Sequence, residues 1–307
     1  MARDIRAVTG LPIQLPSPAL VIESNAHPIK VEVKDAGCDR FCGITIDGIQ
    51  VAPSPAWLQE RLTAIGLRPI NNVVDITNFI CHGLGQPMHA YDWNEIKGGK
   101  LIVDTLAAGT VFKTLDGVER KLTGEELMIC DASGAIGMAG VMGGEDSGIK
   151  DSTTRVFLEV AHFKPERIRK ASQIHGLKTD ASFRFERGTD IQAKLFALEY
   201  AAQLIQELAG GKITSEPFDY YPTQVELVSI PVSVRRVQQY IGIELAADRI
   251  KEILTLLDFK IEADKGDEFV AISPAYRVDV TREADIIEEI LRIHGLMVLL
   301  AVVLFKW

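Results

Sequence analysis

Apolar-rich stretches at Leu20 to Glu23, Ile29 to Val33 and Phe41 to Asp47 each predict a short strand, and in the second apolar and polar positions alternate. A helix is predicted from Pro55 to Gly66, where Ser54 can cap, Pro55 fits the first turn and Gly66 stops the run. From Val73 to Val160 the pattern is mostly β, and Thr110 to Leu115 and Val118 to Leu122 flank the hairpin dipeptide Asp116-Gly117. Pro165 to Gly176 reads as a helix. So does Thr189 to Ala209, whose Ile191, Leu195, Leu198, Ala202 and Ile205 share one face before Gly210-Gly211 ends it.

A boundary is predicted near Pro217 to Pro222. Beyond it come a short helix (Pro231 to Tyr240), an amphipathic helix (Ala246 to Leu257), a hairpin about Asp264 to Asp267 and a last helix (Arg282 to His294). Helices with a two-stranded wing resemble a winged-helix layout. The expected fold class is α+β: a mixed or antiparallel β-rich domain with packed helices, then a small winged-helix-like α+β domain. The expected division is an N-terminal segment at 1–35, domains at 36–220 and 221–295, and an apolar tail at 296–307.

Composition narrows the function classes. In 307 residues the chain is 47% hydrophobic, which excludes disorder, and four cysteines are too few for a disulfide scaffold. Lys plus Arg number 33 against 42 Asp plus Glu, a formal charge of −9, so any RNA contact must be local or supplied by a partner. The opening residues lack the apolar core of a signal peptide, and the run Leu296 to Phe305 is too short to cross a bilayer. The expectation is a soluble cytoplasmic protein.

Four constellations carry candidate chemistry. The stretch Asp75 to Asp92 gathers Thr77, Asn78 and His89 among turn residues, so part of it is expected to be loop; hydroxyl, amide and imidazole suit the orientation of a hydroxyl or a water. Gly140 to Gly144 lets a ligand approach backbone N–H groups, yet it has neither the Gly-Lys-Ser/Thr of a P-loop nor a dinucleotide fingerprint. A tight turn would give the same spacing. Glu159, set in the apolar strand Phe157 to Phe163, needs a partner: an arginine of Arg184-Phe-Glu-Arg187, or a ligand hydroxyl. Asp285, Glu288 and Glu289 share a helix face with Asp279 just upstream, a set of hard oxygen ligands suited to Mg²⁺; acids complementing a helix N-terminus would look the same. Cys38 and Cys42 have no second pair, which argues against zinc.

These pieces, in this order, resemble the beta subunits of bacterial phenylalanyl-tRNA synthetases. The likeness rests on Ile70-Asn-Asn-Val-Val-Asp-Ile-Thr-Asn78, Gly85-Gln-Pro-Met-His-Ala-Tyr-Asp92, Lys113-Thr-Leu-Asp-Gly-Val-Glu119, Ala139-Gly-Val-Met-Gly-Gly144 and Leu158-Glu-Val-Ala161. It continues through His175-Gly-Leu-Lys-Thr-Asp-Ala-Ser182, Arg184-Phe-Glu-Arg-Gly188 and Asp279 to Gly295. The resemblance implies a B3/B4 editing domain at 36–220 and a B5 domain at 221–295. It further implies an editing site that hydrolyses mischarged Tyr-tRNA(Phe), because a hydrophobic synthetic pocket discriminates poorly against one added hydroxyl.

The same resemblance assigns roles. His89, Thr77 and Asn78 would orient the terminal adenosine and the attacking water; Glu159 would accept the tyrosyl phenol; Ala139, Gly140, Gly143, Thr179 and Ala181 would complete substrate binding. Asp279, Asp285, Glu288 and Glu289 match magnesium ligands. The implied partners are an alpha subunit, in an α2β2 heterotetramer, and tRNA(Phe), with no membrane and no DNA. ATP would be used by the complete synthetase and not bound by this chain, which alone would be at most an aminoacyl-tRNA ester hydrolase. Two other readings stay open: a noncatalytic scaffold for the assembly and its tRNA, and a DNA-binding regulator, against which the acidic charge argues.

Overall fold

Strand β10 (Arg155–Phe163) is the spine of the larger of two units in a computed structural model that describes residues 1–145 and 147–295. Its alternation sorts side chains to two faces: Val156, Leu158 and Val160 join one buried cluster, Phe157, Ala161 and Phe163 another. Glu159 shares the second face, and the register places it opposite Gly43 on one side and His89 on the other.

The larger unit spans Ser17–Gln224. Its first sheet runs β11 (Lys212–Ile213), β2 (Cys38–Asp47), β10, β3 (His89–Asp92), with β12 (Phe218–Tyr220) also paired to β2. The Val156 face packs on helices α2 (Ala56–Ala64), α3 (Asn72–Leu84) and α6 (Lys194–Ala209). The Phe157 face meets a second sheet of β1 (Lys30–Val33), β4 (Lys100–Thr105), β7 (Leu127–Cys130), β8 (Ala135–Met138) and β9 (Met142–Gly143), with α4 (Pro165–His175) and α5 (Asp180–Phe185) alongside. Strands β5 (Val111–Lys113) and β6 (Glu119–Lys121) pair across Asp116-Gly117 as expected.

The smaller unit joins Met1–Pro16 to the chain from Val225. Strands β13 (Ser229–Ser233), β15 (Glu268–Ile272) and β14 (Lys260–Glu262) form its sheet, and α1 (Ala2–Thr9), α7 (Val234–Ile241), α8 (Ala247–Leu256) and α9 (Glu283–His294) surround it. The chain is α+β, as its sequence implied.

Local expectations fail where long-range partners win. Leu20 to Glu23 is no strand, only a single bridge from Ile22 to Ile213. Ser54 does not cap α2; its hydroxyl donates to buried Asp75 at 2.6 Å. The stretch expected to be loop and β is helical from Asn72 to Leu84, because the Asn71 side chain accepts from the amides of Val73 and Val74 and the left-handed Gly85 ends it. Pro231 lies in edge strand β13, which tolerates a missing N–H, so its helix begins at Val234. The first sixteen residues leave the 1–35 segment and pack with the chain from Val225 onward, where Asp4 accepts from Arg277 and Arg292 at 2.7 and 2.8 Å. The apolar tail from Leu296 lies outside the described residues.

Candidate functional site

Between the two sheets of the larger unit lies a cavity of about 140 Å³, lined by Pro87, Met88, His89 and Tyr91, by the wall from Gly137 to Gly143, and by Glu159, Ala181 and Phe185 among others. An engineered cavity of about 150 Å³ takes up benzene, so this space fits one aromatic ring and not a nucleotide. Its lining side chains are apolar apart from His89, Glu159 and the Tyr91 hydroxyl.

Glu159 is buried, and its carboxylate Oε2 accepts the Tyr91 hydroxyl at 2.6 Å. The arginine alternative fails: Arg184 donates to Asp180 and contacts His82, and Arg187 donates to Glu186. Burial pushes the Glu159 acid up from its ordinary 4.5 to about 7, and the Tyr91 hydrogen bond opposes that rise. Burial and the Glu159 charge in turn hold the Tyr91 phenol well above its usual value, so Tyr91 remains the donor.

His89 stands beside Glu159 on β3, its ring edge-on to Tyr91 with centroids 4.3 Å apart and planes at 73°. Its buried Nε2 has no hydrogen-bond partner among the described residues. Desolvation lowers its titration from 6.5 to about 4, so at neutral pH the imidazole is uncharged and able to accept a hydrogen bond.

The glycine wall owes its closeness to absent side chains. Gly140 has a left-handed φ of +65°, and a Cβ there would stand 2.9 Å from the Phe185 ring and 3.1 Å from Ile168 and Phe163. A Cβ on Gly143 would stand 3.0 Å from Leu115 and 3.1 Å from the His89 ring. Gly140→Ala is therefore expected to cost about 1–3 kcal/mol through backbone strain and overpacking. Urea unfolding checks this; an unchanged midpoint would mean that the wall yields freely.

Ala139, Gly140, Gly143, Glu159, His89 and Ala181 thus meet at one cavity. Thr179 does not line it. It caps α5, accepting from the Ser182 amide at 3.0 Å and donating to the Val141 carbonyl at 2.8 Å, which ties the Ala181 wall to the glycine wall. Thr77 and Asn78 lie on α3 and are also absent from the lining; the Thr77 hydroxyl donates to the Val74 carbonyl one turn back. Tyr91 was the residue missed. The alternation of His89-Ala-Tyr91 on a strand facing Glu159 is the signal that could have found it.

The four acids of the smaller unit do not form a cation cage as they stand. Glu289 accepts from Arg277 at 3.2 Å and Arg292 at 2.5 Å. Asp285 accepts from the amides of Thr281 and Arg282 at the start of α9, while Asp279 and Glu288 are exposed. Among the described residues no three His, Cys, Asp or Glu side chains gather as a metal ion would need. All four cysteines are free and buried, and no helix among the described residues is long and apolar enough to cross a membrane.

Known proteins share this chain's sequence over nearly all its length. The model of the B3/4 domain family matches residues 37–210, and that of the tRNA synthetase B5 domain matches residues 230–296. A phenylalanine–tRNA ligase beta subunit of Bacteroides fragilis is 49% identical over 278 residues, covering 90% of this chain and 34% of that protein. The namesake of Porphyromonas gingivalis is 45% identical over 302 residues, covering 96% of this chain and 37% of that one. The chain thus spans about a third of the length of these relatives. Among solved structures, an N-terminal fragment of the phenylalanyl-tRNA synthetase beta subunit from Pyrococcus horikoshii matches with a TM-score of 0.45 at 17% identity, covering 96% of this chain and 81% of that one.

Proposed function

Because the chain belongs to the B3/4 domain family, we propose that it is the proofreading segment of a phenylalanine–tRNA ligase beta subunit and hydrolyses tyrosine wrongly attached to tRNA(Phe). The single observation that supports this most is the buried Glu159 carboxylate facing a ring-sized cavity and bonded to a phenol instead of an arginine. A tyrosyl ring entering there would donate its hydroxyl to the carboxylate. A phenylalanyl ring would leave that acid without the bond, at a cost of about 1–3 kcal/mol.

His89 would take part in the hydrolysis itself. Its neutral Nε2 would accept a hydrogen bond from water as the water oxygen bonds to the ester carbon; the ester C–O bond then breaks, and the proton that the water gives up passes by way of Nε2 to the released ribose oxygen. No side chain here is asked to form a covalent intermediate. Holding water and ester together would supply most of the rate. The ligase activity of the whole protein, its alpha-subunit partner and its use of ATP belong to the same proposal, as does tRNA binding by the full assembly.

The direct test is deacylation of tyrosyl- and phenylalanyl-tRNA(Phe) by this chain and by the full-length beta subunit assembled with its partner. The expected result is faster loss of tyrosine than of phenylalanine. Equal, background-level loss of both from the assembled protein would favour the scaffold reading.

A further inference from the structure

Tyr91 touches both of the groups on which the proposed reaction depends. Its hydroxyl donates to Glu159 Oε2 at 2.6 Å, and its ring meets the His89 imidazole edge-on at 4.3 Å. Gly137 lies beside the same hydroxyl, since a Cβ added there would stand 3.8 Å from it, at ordinary van der Waals contact. Tyr91 is only 3% exposed and Glu159 6%, so water does not compete freely for the bond.

We propose that Tyr91 is the specificity-determining residue of the cavity: it occupies one carboxylate oxygen of Glu159 with its own phenol and thereby leaves the other, Oε1, as the acceptor for a ligand hydroxyl. This deepens the proofreading reading and rests on it for its substrate, a para-hydroxylated aromatic side chain. A carboxylate with both oxygens open could turn toward either, whereas one held at Oε2 by a rigid aromatic donor presents the second in a fixed direction. The same bond favours the ionised acid, which is the better acceptor.

The surroundings leave few other groups to set that charge. On β3 stand His89 and Tyr91, on β2 the Cys38 thiol, and on β7 the Cys130 thiol, which acts on Tyr91. Burial first, then the Glu159 charge, pushes the Cys38 thiol well above its ordinary value, so it stays neutral. The glycine wall and α5 contribute no ionisable side chain to the lining.

The test uses p-cresol and toluene as probes of the cavity in the wild-type chain, in Tyr91→Phe and in Glu159→Gln. Binding is followed by NMR across pH 5.5–8.5, a range chosen as about 1.5 units either side of neutrality, and circular dichroism confirms folding. The wild type is expected to prefer p-cresol, increasingly so as the acid ionises. In Tyr91→Phe the midpoint of that pH dependence should rise by about one unit, which is a tenfold weaker preference below both midpoints. In Glu159→Gln the pH dependence should vanish. A midpoint that stays put in Tyr91→Phe, or a wild type that binds both probes equally, overturns the inference. A chain that prefers p-cresol with the expected shift and yet hydrolyses no ester would support the inference while refuting the hydrolytic function.

Discussion

Replacing Glu159 by Ala should collapse the ratio of kcat/KM for tyrosyl over phenylalanyl ester by about 10- to 150-fold, the worth of a hydrogen bond of about 1.5–3 kcal/mol to a charged group. The loss should fall on the tyrosyl ester, because the phenylalanyl ring has no hydroxyl to offer the acid. The effect carries a pH signature. Burial holds the native acid at about 7, so the wild-type preference should strengthen as pH rises through about 7. The stability consequence has the opposite sign. Between the ordinary 4.5 and about 7 the native state keeps a proton that the unfolded chain has released, so stability falls as pH rises across that window. Glu159→Gln should remove that decline. Parallel deacylation assays with the two esters, and urea unfolding at pH 5 and 8, read both effects; an unchanged ratio in Glu159→Ala would remove the acid from substrate recognition.

His89→Ala should behave differently, lowering hydrolysis of both esters by about 100-fold or more while leaving their ratio nearly intact. In the proposed reaction the imidazole handles water and not the amino-acid ring hydroxyl, so its loss would not favour one ring over the other. Because desolvation lowers its titration to about 4, the wild-type rate on the phenylalanyl ester, which offers Glu159 no hydroxyl, should not fall near pH 6.5. The decline attributable to His89 should come only as pH approaches 4, where the ring gains a proton and ceases to be an acceptor. Single-turnover rates against pH would show this. Full activity in a folded His89→Ala protein would pass the water-positioning role to another group.

Much of the larger unit was legible in local pattern. Strand β10 followed from Phe157-Leu-Glu-Val-Ala-His-Phe163, and the β5–β6 hairpin from Asp116-Gly117, because side-chain alternation and turn chemistry act over a few residues. The helix from Asn72 to Leu84 was not legible. Thr77, Asn78 and His82 dilute its apolar face, and the feature that starts it, the Asn71 side chain on two amides, reads equally well as a turn. With that helix formed, Thr77 and Asn78 lie on α3, while His89 begins the next strand and lines the cavity.

The amino-acid order by itself determined that Glu159 would lie in an apolar strand and that glycines would crowd near residue 140, since each depends on neighbours in the chain. Who answers Glu159 was decided only by folding. Tyr91 is 68 residues away, and Asp4 reaches Arg277 across 273. Such pairings depend on which strands lie side by side and which charges are left unsolvated once the core closes. No local pattern encodes that competition, because an acid in an apolar strand accepts an arginine or a phenol equally well until packing brings one of them within 3 Å.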